Sequence, residues 1–240
     1  MALKADVESD IVKTVNTSLT TTERNDGTIE SVPDPAKMSY SEGLYLPSTY
    51  LYADMRDSSG LVGIAPADTV ARVMKAYLSV STRIIRSNNG HIRSFDGDRV
   101  MGIYAGPDRY TRAVKSAMQI KWAMNELVQP AITKQFPSIR NNNWQLKHGC
   151  GIASGKSLLV RAGFRGNDDM ISIGTAPNLA AKLSDLREHP YNTIIGGGTY
   201  KQLSREAIVH KEENMWTGPY DFKMGGKNYT YYKTSYRWRI

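Results

Sequence analysis

Three short stretches of the chain combine residue types and spacings suited to phosphate and metal chemistry. Asp54 closes the apolar run Thr49 to Met55, TYLYADM, and a carboxylate at such a strand end is costly unless it meets a cation. The loop that follows, Arg56-Asp57-Ser58-Ser59-Gly60, leads into a helix, and its small residues let backbone N–H groups point at an anion. Asp98 stands at the mouth of a predicted hairpin. Two strand-end carboxylates that converge in space are what a pair of divalent cations bridging phosphates requires. In Ile173-Gly-Thr-Ala-Pro-Asn178-Leu-Ala-Ala-Lys182 the asparagine and the lysine are four residues apart. They therefore share a helix face near the positive end of the helix dipole, where an amide and a cation suit ribose and phosphate. Taken singly, each aspartate reads more simply as a turn or capping residue, and Asn178 and Lys182 as a helix start and a surface cation. Their weight lies in combination.

The segment Gly151-Ile-Ala-Ser-Gly155-Lys156-Ser157 imitates a phosphate-binding P-loop. That motif needs glycine five residues before Gly155, where this chain has Cys150, and the segment reads as strand, turn, strand instead of strand, turn, helix. The P-loop reading is rejected.

The elements that must position these residues follow from periodicity. Residues 1–45 read as an N-terminal arm, with an amphipathic stretch around Ile11, a polar run from Asn16 to Ser31 and Pro33-Asp34-Pro35. The domain proper, 46–240, opens with the strand Thr49 to Met55. A helix follows through Val70, Val73, Met74, Tyr77, Leu78, Ser81, Ile84 and Ile85 and stops at Asn88-Asn89-Gly90. HIRSF, Asp96-Gly97-Asp98 and RVMGIY make a hairpin, and a second helix runs from Asp108 toward Leu127. Strands near 145–152, 157–162 and 170–173, a helix from Pro177 to Leu186, and strands near Thr193, Asp221 and Thr230 complete the pattern. This order predicts an α+β fold of the ferredoxin-like, split βαβ kind, not a doubly wound one.

At 240 residues, 40% of them hydrophobic, the chain suits one active unit. The lone Cys150 excludes an internal disulfide, the mixed charges of the first ten residues are unlike a signal peptide, and no apolar run approaches a membrane span. A cytoplasmic protein is expected. The net charge of +8 suits a polyanionic ligand, but scattered basic residues argue against a nucleic-acid surface.

LYADMRDSSGL, GHIRSFDGDRVMGIY, GIASGKSLLVRAG and ISIGTAPNLAAKL, in this order and spacing, resemble the four signature blocks of the class III nucleotidyl cyclase family, over roughly residues 45–235. The resemblance implies that family's fold and a homodimer acting on a nucleoside triphosphate, with Asp54, Asp98 and the carbonyl of Met55 holding two divalent cations, Mn or Mg. It implies that Asn178 orients the ribose and that a lysine of Lys223-Met-Gly-Gly-Lys227 touches the triphosphate. The metal aspartates would come from one subunit, and Asn178 and Lys182 from the other.

Departures from that pattern are informative. Purine cyclases read the base with a lysine or glutamate where this chain has Ser94, and with aspartate, threonine or cysteine where it has Ile171. Ile171 offers no hydrogen bond to a purine edge. In this the chain resembles the pyrimidine cyclases of the Pycsar antiphage systems, as does the block around Asp54 with Tyr50, Tyr52 and Asp57-Ser58-Ser59. UTP is the expected substrate, CTP the alternative, and a separate cyclic-nucleotide-binding effector the downstream partner. A catalytically inactive nucleotide-sensing domain is the rival from another class. Tyr50, Tyr52 and Asp54 alternate along one strand face, which sets Tyr50 beside the nucleotide or in the core. The family's usual arginine is replaced by Lys182, leaving Lys182 or Arg161 to stabilise the transition state.

Overall fold

The computed structural model describes residues 2–25, 28–164, 166–186 and 188–240, so positions 1, 26 and 27 of the expected arm lie outside it. Helix α1 (Ala2–Asn16) is exposed from Leu3 onward and leads into strand β1 (Thr20–Glu23). Strand β2 (Glu42–Arg56) then runs through the centre of the molecule, buried on both faces. Helices α2 (Ser58–Ile64) and α3 (Ala67–Ser87) lead to the hairpin β3 (His91–Asp96) and β4 (Arg99–Tyr104). Helix α4 (Arg109–Ala123) continues through a wide π turn, Met124–Val128, into α5 (Gln129–Gln135) and α6 (Pro137–Asn141). Strands β5 (Lys147–Phe164) and β6 (Asn167–Ile173) precede helix α7 (Thr175–Ser184), strand β7 (Thr193–Gly196) and the short α8 (Gly197–Tyr200). A small pair, β8 (Val209–His210) and β9 (Glu213–Asn214), and the hairpin β10 (Thr217–Met224) and β11 (Lys227–Thr234) close the chain.

Among the described residues, nine strands form one sheet in the order β10-β11-β7-β5-β2-β4-β3, with β1 added to β2 and β6 to β5. Its middle, β5-β2-β4-β3, is antiparallel throughout. With α3 between β2 and β3 and α4 between β4 and β5, this is the split βαβ, ferredoxin-like arrangement. Strand alternation divides the core. Leu51, Ala53 and Met55 pack with Val73, Tyr77, Val114 and Met118 of α3 and α4. On the opposite face, Tyr50 packs with Leu179, Ala180 and Leu183 of α7.

Two expectations are corrected. Residues 147–164 form one continuous strand with no turn at Ser154-Gly155-Lys156. These turn-prone residues are satisfied across the sheet instead: Ser154 Oγ lies 2.9 Å from both Thr49 Oγ1 and Thr199 Oγ1, and Lys156 Nζ pairs with Glu23 at 2.6 Å. The length of β5 draws out β2, which pairs with it from Gly43↔Val160 to Arg56↔Lys147. The first core strand therefore starts at Glu42 instead of Thr49, and Val32 and Met38, both from the stretch read as outside the core, are buried in it.

His148 on β5 is buried with its ring 6.3 Å from that of Tyr77. Burial first, then the charges of Lys121 and Arg56, push its pKa down from 6.5 to about 3. The folded chain refuses a proton that the unfolded chain accepts below pH 6.5. Stability is therefore intact above that pH and falls as pH drops toward 3, by up to about 1.4 kcal/mol per pH unit. His148→Gln should flatten the fall in melting temperature between about pH 7 and pH 4. A wild-type slope in the variant would rule this out.

Candidate active site

Asp54 is the third residue from the end of β2 and stands opposite Arg99 on β4 and Gly149 on β5. The hairpin turn carries Asp98 back to the same place, where the Met55 N–H donates to the Asp98 carbonyl at 3.3 Å. Two carboxylates are thus held side by side in a largely dry setting. Asp54 is buried, and Asp98 Oδ2 is buried without a hydrogen-bond partner among the described residues. Burial raises the pKa of Asp54, as do the neighbouring Asp98 and Asp185, while Arg99 opposes them. Arg99 Nη2 lies 3.3 Å from Asp54 Oδ2 and 2.6 Å from Asp185 Oδ1. Arg56 is also buried and donates to the Leu186 carbonyl at 2.5 Å. Beyond it, Ser58 and Ser59 open α2 with their side chains at the surface or half-buried.

Helix α7 lies directly on β5. A Cβ at Gly151 would meet the Ala180 carbonyl oxygen at 2.1 Å and the Ser184 nitrogen at 2.2 Å, so only glycine admits the helix backbone there. The opposite side of α7 is exposed and carries Asn178, Lys182 and, just past the helix end, Asp185. Ile171 is exposed on β6 and Ser94 half-buried on β3. These two strands are tied by the ion pair of Arg93 with Asp169 at 2.5 Å.

Lys223 and Lys227 flank the Gly225-Gly226 turn of the β10–β11 hairpin, both exposed. In the sheet order β11, with Lys227, lies three strands from β2 and β10, with Lys223, four, on the order of 14 and 19 Å at about 4.8 Å per strand. The structure brings Asp54, Met55 and Asp98 together, with Arg56 and the end of α7 beside them. It leaves Lys223 and Lys227 remote within one chain. Arg161 is engaged elsewhere, by Asp168 at 2.9 Å and the Met38 carbonyl at 3.2 Å.

Tyr50 is corrected from a residue beside the nucleotide to a core residue. It shares the strand face of Tyr52 and Asp54, as expected, but has no exposed surface because α7 closes over that face. Two site neighbours were missed in the sequence, Arg99 and Asp185. Both had a signal: Arg99 follows Asp98 directly, and Asp185 extends the spacing of Asn178 and Lys182.

Fold and site together define a class III nucleotidyl cyclase. Solved structures with this fold include a bacterial light-regulated adenylyl cyclase (TM-score 0.69, 20% identity, 85% of this chain and 55% of that one). The adenylyl cyclase CyaB from P. aeruginosa has a TM-score of 0.64 and 21% identity, covering 80% of this chain and 95% of that one. No family model matches the chain. Among curated proteins it is 33% identical over 242 aligned positions to a uridylate cyclase of Rhodovulum sp., covering 100% of this chain and 98% of the relative. It is 35% identical to a uridylate cyclase of Xanthomonas perforans, over 81% of each chain, and 31% identical to one of Burkholderia cepacia, over 88% and 89%. The chain belongs to the class III nucleotidyl cyclase family, with these uridylate cyclases among its relatives, and is a nucleotidyl cyclase.

The burial of Tyr50 has a measurable consequence. Tyr50→Ala should cost on the order of 3–5 kcal/mol of stability, as large-to-small core changes do. Denaturant titration would show it as a lowered midpoint, and a midpoint unchanged from wild type would contradict the packing role.

Proposed function

We propose that the chain converts UTP into 3′,5′-cyclic UMP and pyrophosphate, working as a homodimer with two shared active sites. The observation that carries the reading is the convergence of Asp54 and Asp98 at the end of β2 in a chain whose full-length relative is a uridylate cyclase.

The carboxylates fit a metal site. Asp98 Oδ2 is buried without a partner, and Asp54 is crowded by Asp98 and Asp185. Two carboxylates and a backbone carbonyl are hard oxygen donors that leave coordination positions for phosphate. Asp54, Asp98 and the Met55 carbonyl would hold two divalent cations, Mn or Mg, which when bound acidify the ribose 3′-hydroxyl and neutralise the triphosphate.

The remaining residues position the substrate. Arg56, Ser58 and Ser59 follow the metal strand and face the phosphates. From the second subunit, Asn178 orients the ribose, Lys182 places a charge beside the α-phosphate, and Lys223 and Lys227 reach the outer phosphates. None of these three lysines makes an ion pair among the described residues. Ser94 and Ile171 border the base, and Ile171 withholds the hydrogen bond that a purine edge needs. The 3′-oxygen forms a bond to the α-phosphorus as the bond to the β-phosphate oxygen breaks; pyrophosphate leaves with the electron pair and the hydroxyl proton is released. Likeness to the Pycsar cyclases supports a role for the product as an antiphage signal read by a separate cyclic-nucleotide-binding effector. No helix among the described residues is long and apolar enough to cross a membrane, and the proposed setting is the cytoplasm.

Incubation with each of the four triphosphates and Mn, followed by mass analysis, should yield cyclic UMP. Cyclic CMP would shift the substrate to CTP, and a purine product or none would overturn the reading. Asp54→Ala and Asp98→Ala should each abolish cyclisation while the fold persists by circular dichroism.

Sharing of the sites has its own test. Chains carrying Asp98→Ala and chains carrying Asn178→Ala, each inactive alone, form a heterodimer with one doubly lesioned site and one intact site. Random pairing makes about half of the dimers mixed, so co-expression should restore roughly a quarter of wild-type activity. Verified heterodimers without activity would count against shared sites.

A further inference from the structure

We propose that Arg99 is a resident counter-ion of the metal site, bridging Asp54 and Asp185 when no metal is bound and withdrawing onto Asp185 when a divalent cation arrives. The inference rests on the assignment of Asp54 as a metal ligand.

The geometry that points to it is specific. One guanidinium nitrogen, Nη2, touches both acids: Asp54 Oδ2 at 3.3 Å and Asp185 Oδ1 at 2.6 Å. The short contact is to the acid outside the proposed metal set, and the long one is to the proposed ligand. Arg99 opens β4 immediately after Asp98 and stands opposite Asp54 in the ladder, so its backbone is fixed while its long side chain reaches both acids. Its side chain is 25% exposed, that of Asp54 10% and that of Asp185 45%. Asp54 is thus the desolvated member that most needs a permanent partner, and Asp185 can hold the guanidinium in a wetter place. Asp98 Oδ2 is buried without such a partner among the described residues, an unmet acceptor that a cation would satisfy.

An arginine on Asp54 competes with a metal for the same oxygen, and Asp185 weakens that competition by attracting the arginine away. The two residues therefore act in opposite directions on metal affinity. Both are positioning residues, because neither is placed on substrate or metal. The same bridge also ties the end of α7, the helix of Asn178 and Lys182, to the strand of the metal ligands.

The test is Mn titration of the purified, nucleotide-free protein by calorimetry. Arg99→Gln should bind Mn about two- to five-fold more tightly than wild type, the range set by a partly exposed ion pair. Asp185→Asn should bind it more weakly by a similar factor. A general change of electrostatic field would give the same signs, so the double variant decides. If Asp185 acts through Arg99, Asp185→Asn should have no further effect in the Arg99→Gln background. Additive effects, or an unchanged affinity in Arg99→Gln, would overturn the proposal. Asp54→Asn separates the underlying reading: if it leaves Mn binding as in wild type, the metal assignment itself fails.

Discussion

The structure turns on one constraint, the placement of two carboxylates side by side at the dry end of a central strand. β2 is buried on both faces along most of its length up to Asp54, and its pairing with β4 fixes how far the hairpin turn can lie from that residue. The Met55–Asp98 backbone bond closes the remaining gap. A buried acid with another acid beside it is unfavourable on both counts, desolvation and like charge. Such an arrangement persists because the core around it is strong enough to impose it, and because Arg99 supplies part of the missing positive charge. Strain of this kind at a strand end is where function is to be sought.

Packing of α7 on the Asp54 face of the sheet answers the same constraint. Glycine at 151 lets the backbone of α7 settle onto β5, which brings the end of the helix over the strand of Asp54. Close approach buries one side of α7 and turns the opposite one outward, with Asn178, Lys182 and Asp185 along it. One packing decision therefore does two things. It closes the core over Tyr50, and it presents a polar stripe at the surface.

Much of this was legible in the chain because periodicity and punctuation agreed. The helix through Val70 to Ile85 ends at Asn88, and the Gly97-Asp98 turn falls where a hairpin needs it. β5 was harder to read because Ser-Gly-Lys is ordinary turn chemistry; pairing with β2 and the partners Thr49, Thr199 and Glu23, all distant in sequence, keep it extended. Tyr50 was ambiguous for a related reason: alternation assigns it a face but not whether that face is covered. The bridge from Arg99 to Asp185 joins residues 86 positions apart. No local pattern encodes such a contact, since it exists only once β4 and α7 have been brought to the same corner.

The division of candidate groups within a single chain bears on the proposed dimer. Acids and the α2 entry gather at the end of β2, whereas Lys227 and Lys223 stand on strands three and four places away in the sheet. Those separations, on the order of 14 and 19 Å across the sheet, set the lysines well apart from Asp54 and Asp98 of the same chain. In the proposed two-fold dimer, the exposed stripe and hairpin of one copy would stand against the acids of the other. In that arrangement the cations meet the phosphates only on assembly. On that proposal the acids and the lysines of one chain serve different sites, and the chemistry would belong to the pair.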